Sequence, residues 1–243
     1  MRVQGGQNLY GFTVGILMLD TQFPRIVGDM GNALTFDFPV RYYRVAGASP
    51  DLVVRKSARD LLPAFIEGAR LLEREGVRAI STNCGFLSKF QREMAVAVKI
   101  PVFTSSLMLV PLVYRMLPPR RAVGILTVDA SSLTHEHFSG AGIGADIPIV
   151  VAGLEGEKEF TRVLLDDLLT LDVDAAREEH VSVARRLITE HPEVGAIVLE
   201  CTNMPPYRAD IQRATGLPVF DIVALVRMVH DALVHGLPPL PLA

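Results

Sequence analysis

The sequence predicts an α/β fold with two similar lobes, and three observations support this prediction. Short apolar runs alternate with amphipathic stretches along all 243 residues, which is typical of parallel sheets joined by crossover helices. The second half of the chain repeats the residue pattern of the first half. Each half carries one cysteine, Cys84 or Cys201, at the end of a predicted strand.

The predicted strands form two sets of four with helices between them. In the first half the strands fall near residues 12–19, 40–45, 77–81 and 102–103, and the helices near residues 57–75 and 88–98. In the second half the strands fall near residues 122–128, 147–151, 194–199 and 219–220, and the helices near residues 131–140, 157–169, 175–190 and 207–215. Two apolar helices, near residues 106–117 and 221–235, follow the last strand of each half, and we expect each to cover the opposite lobe.

The internal repeat is strongest around the cysteines, which lie 117 positions apart. At this offset the following residues are identical to their counterparts: Val77, Ala79, Ile80, Cys84, Ala97, Pro101, Val102 and Phe103. At an offset of 109 a second block of residues is identical to its counterparts: Val14, Gly15, Ile16, Leu17 and Asp20. The repeat predicts a first lobe of residues 1–104, completed by a C-terminal helix at 221–243, and a second lobe of residues 105–220.

The composition argues against several classes of partner. The chain has 24 Lys and Arg against 27 Asp and Glu, without long runs of like charge, so it has no basic footprint for nucleic acid or an anionic membrane. Its apolar runs are far shorter than the ~20 residues needed to cross a bilayer. Residues 1–11 are polar and do not resemble a secretory signal, and the two cysteines are typical of free thiols in a reducing compartment. We therefore expect a cytoplasmic protein.

The two cysteines are the predicted catalytic residues. Cys84 and Cys201 each follow a strand and precede a helix, and ligands of open parallel sheets bind at the carboxyl ends of strands. We therefore expect both thiols to face one cleft between the lobes. A helix N-terminus lowers the pKa of a nearby thiol, so the sequence predicts thiol pKa values that fall from about 8.5 toward neutrality.

Further polar residues are candidates for binding a small carboxylate. Those next to the cysteines are Thr82, Asn83, Gly85, Thr202 and Asn203. Asp20 and Asp129 end the first strand of each half, where they would orient a substrate ammonium, tune the thiols, or serve only as turn and capping residues. The segment 23–40, which includes Asn32, is too long for a tight connection and is predicted to be a binding loop, with a plain surface loop as the alternative.

No metal site and no organic cofactor are predicted. His135 and His137 are two positions apart on a predicted helix and so do not share a face. The sequence has neither a glycine-rich phosphate loop nor a dinucleotide-binding glycine pattern. Its lysines fall on predicted helices or their flanks, so no lysine is expected at a strand end to hold pyridoxal.

The segments Ser81-Thr82-Asn83-Cys84-Gly85 and Glu200-Cys201-Thr202-Asn203 resemble the aspartate/glutamate/hydantoin racemase superfamily. The Cys-Thr-Asn stretch is also similar to maleate isomerases, and arylmalonate decarboxylases share the architecture. The resemblance implies two flavodoxin-like lobes with the active site between them, and paired cysteines that act on opposite faces of a small carboxylate. It also implies that Asn83, Thr202 and Asn203 hold carboxylate oxygens and that Asp20 stands at a position used by racemases.

The expected function is a cofactor-independent racemase or epimerase of a small amino acid or related carboxylate, in which one thiol removes a proton and the other returns one. One alternative is a cis-trans isomerase or decarboxylase of a small diacid that uses a single cysteine as nucleophile or proton donor. Another is a non-catalytic sensor of small carboxylates. Any surplus apolar face is expected to form a contact in a homodimer or higher homo-oligomer.

Overall fold

The computed structural model describes residues 5–234 and contains two four-stranded parallel sheets. The first sheet consists of β1 (Val14–Met18), β2 (Val40–Arg44), β3 (Ala79–Thr82) and β4 (Val102–Phe103). The second consists of β5 (Ala122–Thr127), β6 (Ile149–Gly153), β7 (Val194–Leu199) and β8 (Val219–Phe220). The strand orders are β2-β1-β3-β4 and β6-β5-β7-β8, so the two sheets have the same topology. The prediction of an α/β fold with two pseudo-symmetric, flavodoxin-like lobes is confirmed.

Several helices are shorter than predicted because their first turn is a 3-10 helix. The α-helices are α1 (Leu62–Arg74), α2 (Gln91–Val96), α3 (Val110–Met116), α4 (His135–Gly140), α5 (Phe160–Leu165), α6 (Val173–Glu190), α7 (Arg208–Thr215) and α8 (Ile222–Val234). The 3-10 helices are Ala33–Thr35, Arg59–Leu61, Gly85–Phe90, Ser106–Leu109, Ala130–Ser132 and Pro205–Tyr207, and Asp51–Arg55 is a π-helix. None of the helices between residues 5 and 234 has the length and apolar character of a membrane span. The predicted C-terminal segment beyond residue 234 lies outside the described residues.

Matching glycines let one helix pack closely on the central strand of each sheet. A Cβ atom added to Gly15 of β1 would lie 2.9 Å from the side chain of Leu72 on α1. Its repeat counterpart, Gly124 of β5, would place a Cβ atom 2.9 Å from Leu187 on α6. Distances this short leave no room for a methyl group unless the leucine moves. The repeat therefore extends to how the outer helices pack.

The helices that follow the last strands, α3 and α8, lie between the two sheets. The side chains that face this layer form one apolar core, to which both sheets and both helices contribute: Val14, Ile16, Ala79, Val110, Val113, Val123, Ile125, Val198, Ile222 and Val226. Ser106, just before α3, donates a hydrogen bond to the carbonyl oxygen of Leu199 in the second sheet (2.6 Å). Arg78, next to the first sheet, donates one to the carbonyl oxygen of Leu233 on α8 (2.5 Å). Each half of the chain thus contributes a helix that contacts the sheet of the other half.

Candidate active site

A cavity lies where the chain leaves the four central strands, β1, β3, β5 and β7. It is lined by Leu19, Phe23, Arg25, Pro50, Val54, Asn83, Cys84, Gly85, Phe86, Val128, Leu164, Leu165, Glu200, Cys201, Thr202 and Asn203. We call this cavity the thiol pocket. Both cysteines line it, one from each lobe, so the repeat brings the two sulfur-bearing turns to one place.

Each thiol is held in the same way by its own turn. The backbone N–H of Phe86 hydrogen-bonds to the sulfur of Cys84, and the backbone N–H of Asn203 hydrogen-bonds to the sulfur of Cys201. In both cases the donor lies two residues after the cysteine. A hydrogen bond of this kind stabilises a thiolate, so either sulfur has a local means of carrying negative charge.

Burial nevertheless dominates the acidity of both thiols. Burial and, after it, the Glu200 carboxylate raise the pKa of Cys84 to about 12. The same two causes, in the same order, raise the pKa of Cys201 well above its ordinary value. The prediction that helix N-termini bring these pKa values toward neutrality is wrong for this structure, because the loss of hydration outweighs the hydrogen bonds of the turns.

Glu200 is a fully buried carboxyl group at the floor of the thiol pocket. Thr127 donates a hydrogen bond to its Oε2 atom (2.7 Å), while its Oε1 atom has no partner among the described residues. A Cβ atom added to Gly85 would lie 2.2 Å from that Oε1 atom, so only glycine fits at this position. Burial raises the pKa of Glu200 to about 8, and the group is therefore protonated at neutral pH.

Asn83 has an unused hydrogen-bond donor in the same pocket. Its Oδ1 atom accepts a hydrogen bond from the backbone N–H of Leu19 (2.6 Å), and its Nδ2 atom has no partner within residues 5–234. Thr202 donates a hydrogen bond to the carbonyl oxygen of Asn83 (2.5 Å) and so joins the two lobes beside the thiols. A buried amide N–H without an acceptor is costly unless a ligand supplies one. Asn83 is therefore suited to bind a carboxylate oxygen.

A chain of hydrogen bonds connects Cys201 to the segment 23–40. The thiol of Cys201 donates to Oδ1 of Asn203 (3.6 Å), and Nδ2 of Asn203 donates to Oδ2 of Asp29 (2.5 Å). The other oxygen of Asp29 accepts from Arg25 (3.0 Å), whose guanidinium lies 4.3 Å from the ring centre of Phe23. The segment thus forms a wall of the pocket and places a cation in it; that it binds a ligand stays a prediction.

Four candidate residues do not line the thiol pocket. Asp20 pairs with the exposed Arg44 and accepts a hydrogen bond from the backbone of Gly47. Thr82 is buried and donates to the carbonyl oxygen of Thr104 (2.7 Å). Asp129 caps the 3-10 helix that follows β5, and Asn32 caps the short helix Ala33–Thr35. These hydrogen bonds engage the polar groups of Asp20, Thr82, Asp129 and Asn32 outside the pocket.

Glu200, Arg25 and Asp29 are not among the site residues predicted from the sequence. Glu200 directly precedes Cys201 and is the repeat counterpart of Asn83, so the repeat could have identified it as a candidate site residue. Arg25 and Asp29 lie in irregular chain, where spacing does not indicate which side chains turn inward. In residues 5–234, no group of three or more His, Cys, Asp and Glu is arranged to hold a metal ion.

Curated relatives of this chain are lyases. A dimethylsulfoniopropionate lyase from Durusdinium sp. clade D is 30% identical over 222 residues, which cover 89% of this chain and 73% of that protein. Relatives from Emiliania huxleyi carry the same name. The chain is an enzyme, but the expectation of an amino-acid racemase or epimerase is wrong, because these relatives are named for a lyase reaction. The alternative in which a single cysteine acts as nucleophile or proton donor agrees better with them.

Solved structures support the fold, and a sequence model identifies the family. A glutamate racemase from Bacillus anthracis superposes with a TM-score of 0.62 at 13% identity, covering 93% of this chain and 82% of that chain. A mutant of arylmalonate decarboxylase superposes with a TM-score of 0.61 at 17% identity, covering 94% of this chain and 96% of that chain. The sequence model described as Asp/Glu/Hydantoin racemase matches residues 46–228. The chain therefore belongs to the Asp/Glu/hydantoin racemase family.

Proposed function

We propose that this enzyme is a lyase that cleaves dimethylsulfoniopropionate, or a closely related carboxylate with a sulfonium group on its β-carbon. The names of its relatives support the substrate class. The observation that carries the proposal is the convergence of two buried thiols on one pocket that also holds an unused amide donor, Asn83. That set of groups suits removal of a proton next to a carboxylate.

The proposed reaction is an elimination. A thiolate takes a proton from the α-carbon, and the electron pair of that C–H bond forms a double bond between the α- and β-carbons. The bond from the β-carbon to sulfur breaks, and its electrons remain on the sulfur, which leaves as neutral dimethyl sulfide. The other product is acrylate, and the enzyme then returns the proton to solvent. All charges and atoms are thereby accounted for.

Cys84 is the proposed base. Glu200 raises the pKa of both thiols, but Lys89 and Arg25 act in the opposite direction on Cys84. Cys201 instead has the carboxylate of Asp29 as a further neighbour that raises its pKa. Of the two, the Cys84 thiolate has the more favourable electrostatic surroundings.

The other groups of the pocket have roles in binding. The Nδ2 atom of Asn83 and the guanidinium of Arg25 are donors for the substrate carboxylate, and stabilise the charge that builds up on it as the α-proton leaves. The apolar side chains of Val54, Val128 and Leu164 suit the methyl groups of a sulfonium. An apolar site also strengthens the electrostatic interactions inside it.

The test is incubation of the purified protein with dimethylsulfoniopropionate, with dimethyl sulfide measured by gas chromatography and acrylate by liquid chromatography. We expect equal amounts of both products. Cys84→Ser should lower kcat at least about 100-fold, as expected for loss of a positioned base, and Cys201→Ser should lower it less. Asp20→Asn is the control, because Asp20 lies outside the pocket, and should retain activity. Absence of dimethyl sulfide with the wild-type protein, or full activity of Cys84→Ser, would refute the proposal.

A further inference from the structure

The internal repeat places two chemically different side chains at equivalent positions of the thiol pocket. Asn83 and Glu200 are 117 positions apart, like the cysteines, and each directly precedes a cysteine. Asn83 has an unpartnered donor, Nδ2, and Glu200 has an unpartnered oxygen, Oε1, among the described residues. The two sides of the pocket therefore have the same backbone arrangement but side chains of different chemistry. One side offers N–H donors and the other a carboxyl group.

Glu200 is the acidic group of this pocket with an oxygen that no described residue pairs with. The oxygens of Asp29 are already used, because Oδ1 accepts from Arg25 and from the backbone of Gly31 while Oδ2 accepts from Asn203. In Glu200 only Oε2 is engaged, by Thr127. The unpartnered Oε1 atom rests against Gly85, which leaves no side chain between the two turns.

From this arrangement we infer that Glu200 is a specificity-determining residue, which pairs with a cationic group on the β-carbon of the substrate while Asn83 and Arg25 hold the carboxylate. The inference rests on the proposed function for the position of that cation. The inference predicts that the pocket binds zwitterions. It also explains why a carboxyl group is buried next to the apolar side chains that line the pocket. A neutral β-substituent would leave the Oε1 atom without a partner, whereas a quaternary or sulfonium cation would supply one.

Cation binding should release a proton from the enzyme. Glu200 is protonated at neutral pH because burial raises its pKa to about 8, and a cation beside it favours the carboxylate. The other charged or titratable groups around the pocket are Cys84, Cys201, Asp29, Arg25 and Lys89. The two thiols have pKa values far above neutrality, so at pH 7 Glu200 is the group that is poised to lose its proton.

The test compares two ligands of the same shape, neither of which carries the sulfonium leaving group. Trimethylammoniopropionate carries a permanent cation, and its isostere with a tert-butyl group in place of trimethylammonium is neutral at that end. Isothermal titration calorimetry at pH 7 in buffers of different ionisation enthalpy gives both the Kd and the number of protons released. We expect the cationic ligand to bind about 10- to 100-fold more tightly than the neutral one and to release close to one proton. The neutral isostere should release none.

Glu200→Gln should bind both ligands with similar Kd values and release no proton with either. Glu178→Gln, on the exposed face of α6, is the matched control and should behave like the wild type. Equal affinities in the wild type, no proton release on binding the cation, or a cation preference that survives in Glu200→Gln would each overturn the inference. If Glu200→Gln does not fold, the comparison of the two ligands in the wild-type protein still tests the inference. Cation preference without cleavage of dimethylsulfoniopropionate would refute the proposed reaction and leave this inference intact.

Discussion

The buried carboxyl group of Glu200 makes the stability of the protein depend on pH. Its pKa is about 8 in the folded state against an ordinary value of 4.5. Between these two pH values the folded protein keeps a proton that the unfolded chain has lost, so a rise in pH favours unfolding. The stabilising contribution is fully present below pH 4.5 and is lost as the pH rises through 8. The whole shift corresponds to about 5 kcal/mol, at roughly 1.4 kcal/mol per pKa unit.

Glu200→Gln removes this titration while preserving the size of the side chain. We expect the difference in free energy of unfolding between Glu200→Gln and the wild type to change by about 4 kcal/mol in favour of Gln between pH 5 and pH 9. Urea unfolding followed by circular dichroism at several pH values measures this difference, and all other titrating groups largely cancel in it. Glu178→Gln, which changes an exposed carboxylate, is the control. Parallel pH profiles for Glu200→Gln and the wild type would refute the assignment of a buried, protonated carboxyl group.

Two further predictions concern the packing and the acidity of the thiol pocket. Gly85→Ala should destabilise the protein by at least about 2 kcal/mol, because the added Cβ atom would lie 2.4 Å from the backbone oxygen of Glu200. Gly156→Ala has open space around the added atom and should be tolerated; equal urea midpoints for the two variants would contradict this reasoning. Iodoacetamide at pH 8 should alkylate native Cys84 about 1,000-fold more slowly than a free cysteine, because its pKa is about 12 instead of 9.0. Mass spectrometry measures the rate, unfolding in guanidinium should restore it, and fast labelling of the native protein would contradict the raised pKa.

Most of the fold could be predicted from the sequence. The same residue pattern occurs in both halves of the chain, so each half supports the assignment of the other. Identical residues at a fixed offset show that β3 is the counterpart of β7 and that β4 is the counterpart of β8. The two sheets accordingly have the same strand order. The same logic predicted that the two cysteines share a pocket. Helix starts were predicted less accurately, since 3-10 turns and α-helices differ by small changes in backbone angles that residue patterns do not specify.

The repeat was less informative for side chains that follow the strands. Asp20 and Asp129 are repeat counterparts, yet Asp20 hydrogen-bonds to Arg44 and to the backbone of Gly47, and Asp129 caps the 3-10 helix that follows β5. The direction of a side chain after a strand depends on the loop, which differs between the halves. The thiol pKa values were mispredicted for a related reason, because the degree of burial depends on the whole fold and not on the neighbouring residues.

The motifs around the thiols predicted the wrong type of reaction, a racemisation. Racemisation and elimination both begin when a base takes a proton from the carbon next to a carboxylate, and both need a base and donors of the kind found at Cys84 and Asn83. The reactions differ in what happens to the electron pair afterwards, and this depends on the substituent at the β-carbon. Residues that recognise that substituent, such as Glu200, take no part in the proton removal that the two reactions share.

The position of α3 and α8 has a consequence for the origin of the duplicated chain. A half-length protein would fold into one sheet whose inner face is left bare, because the helix that covers it belongs to the other half. Such an ancestor would have required two identical copies that exchange their last helices, with a symmetric cavity between them. In a single fused chain each side of the cavity can change alone, so a repeat position can carry asparagine in one half and glutamate in the other.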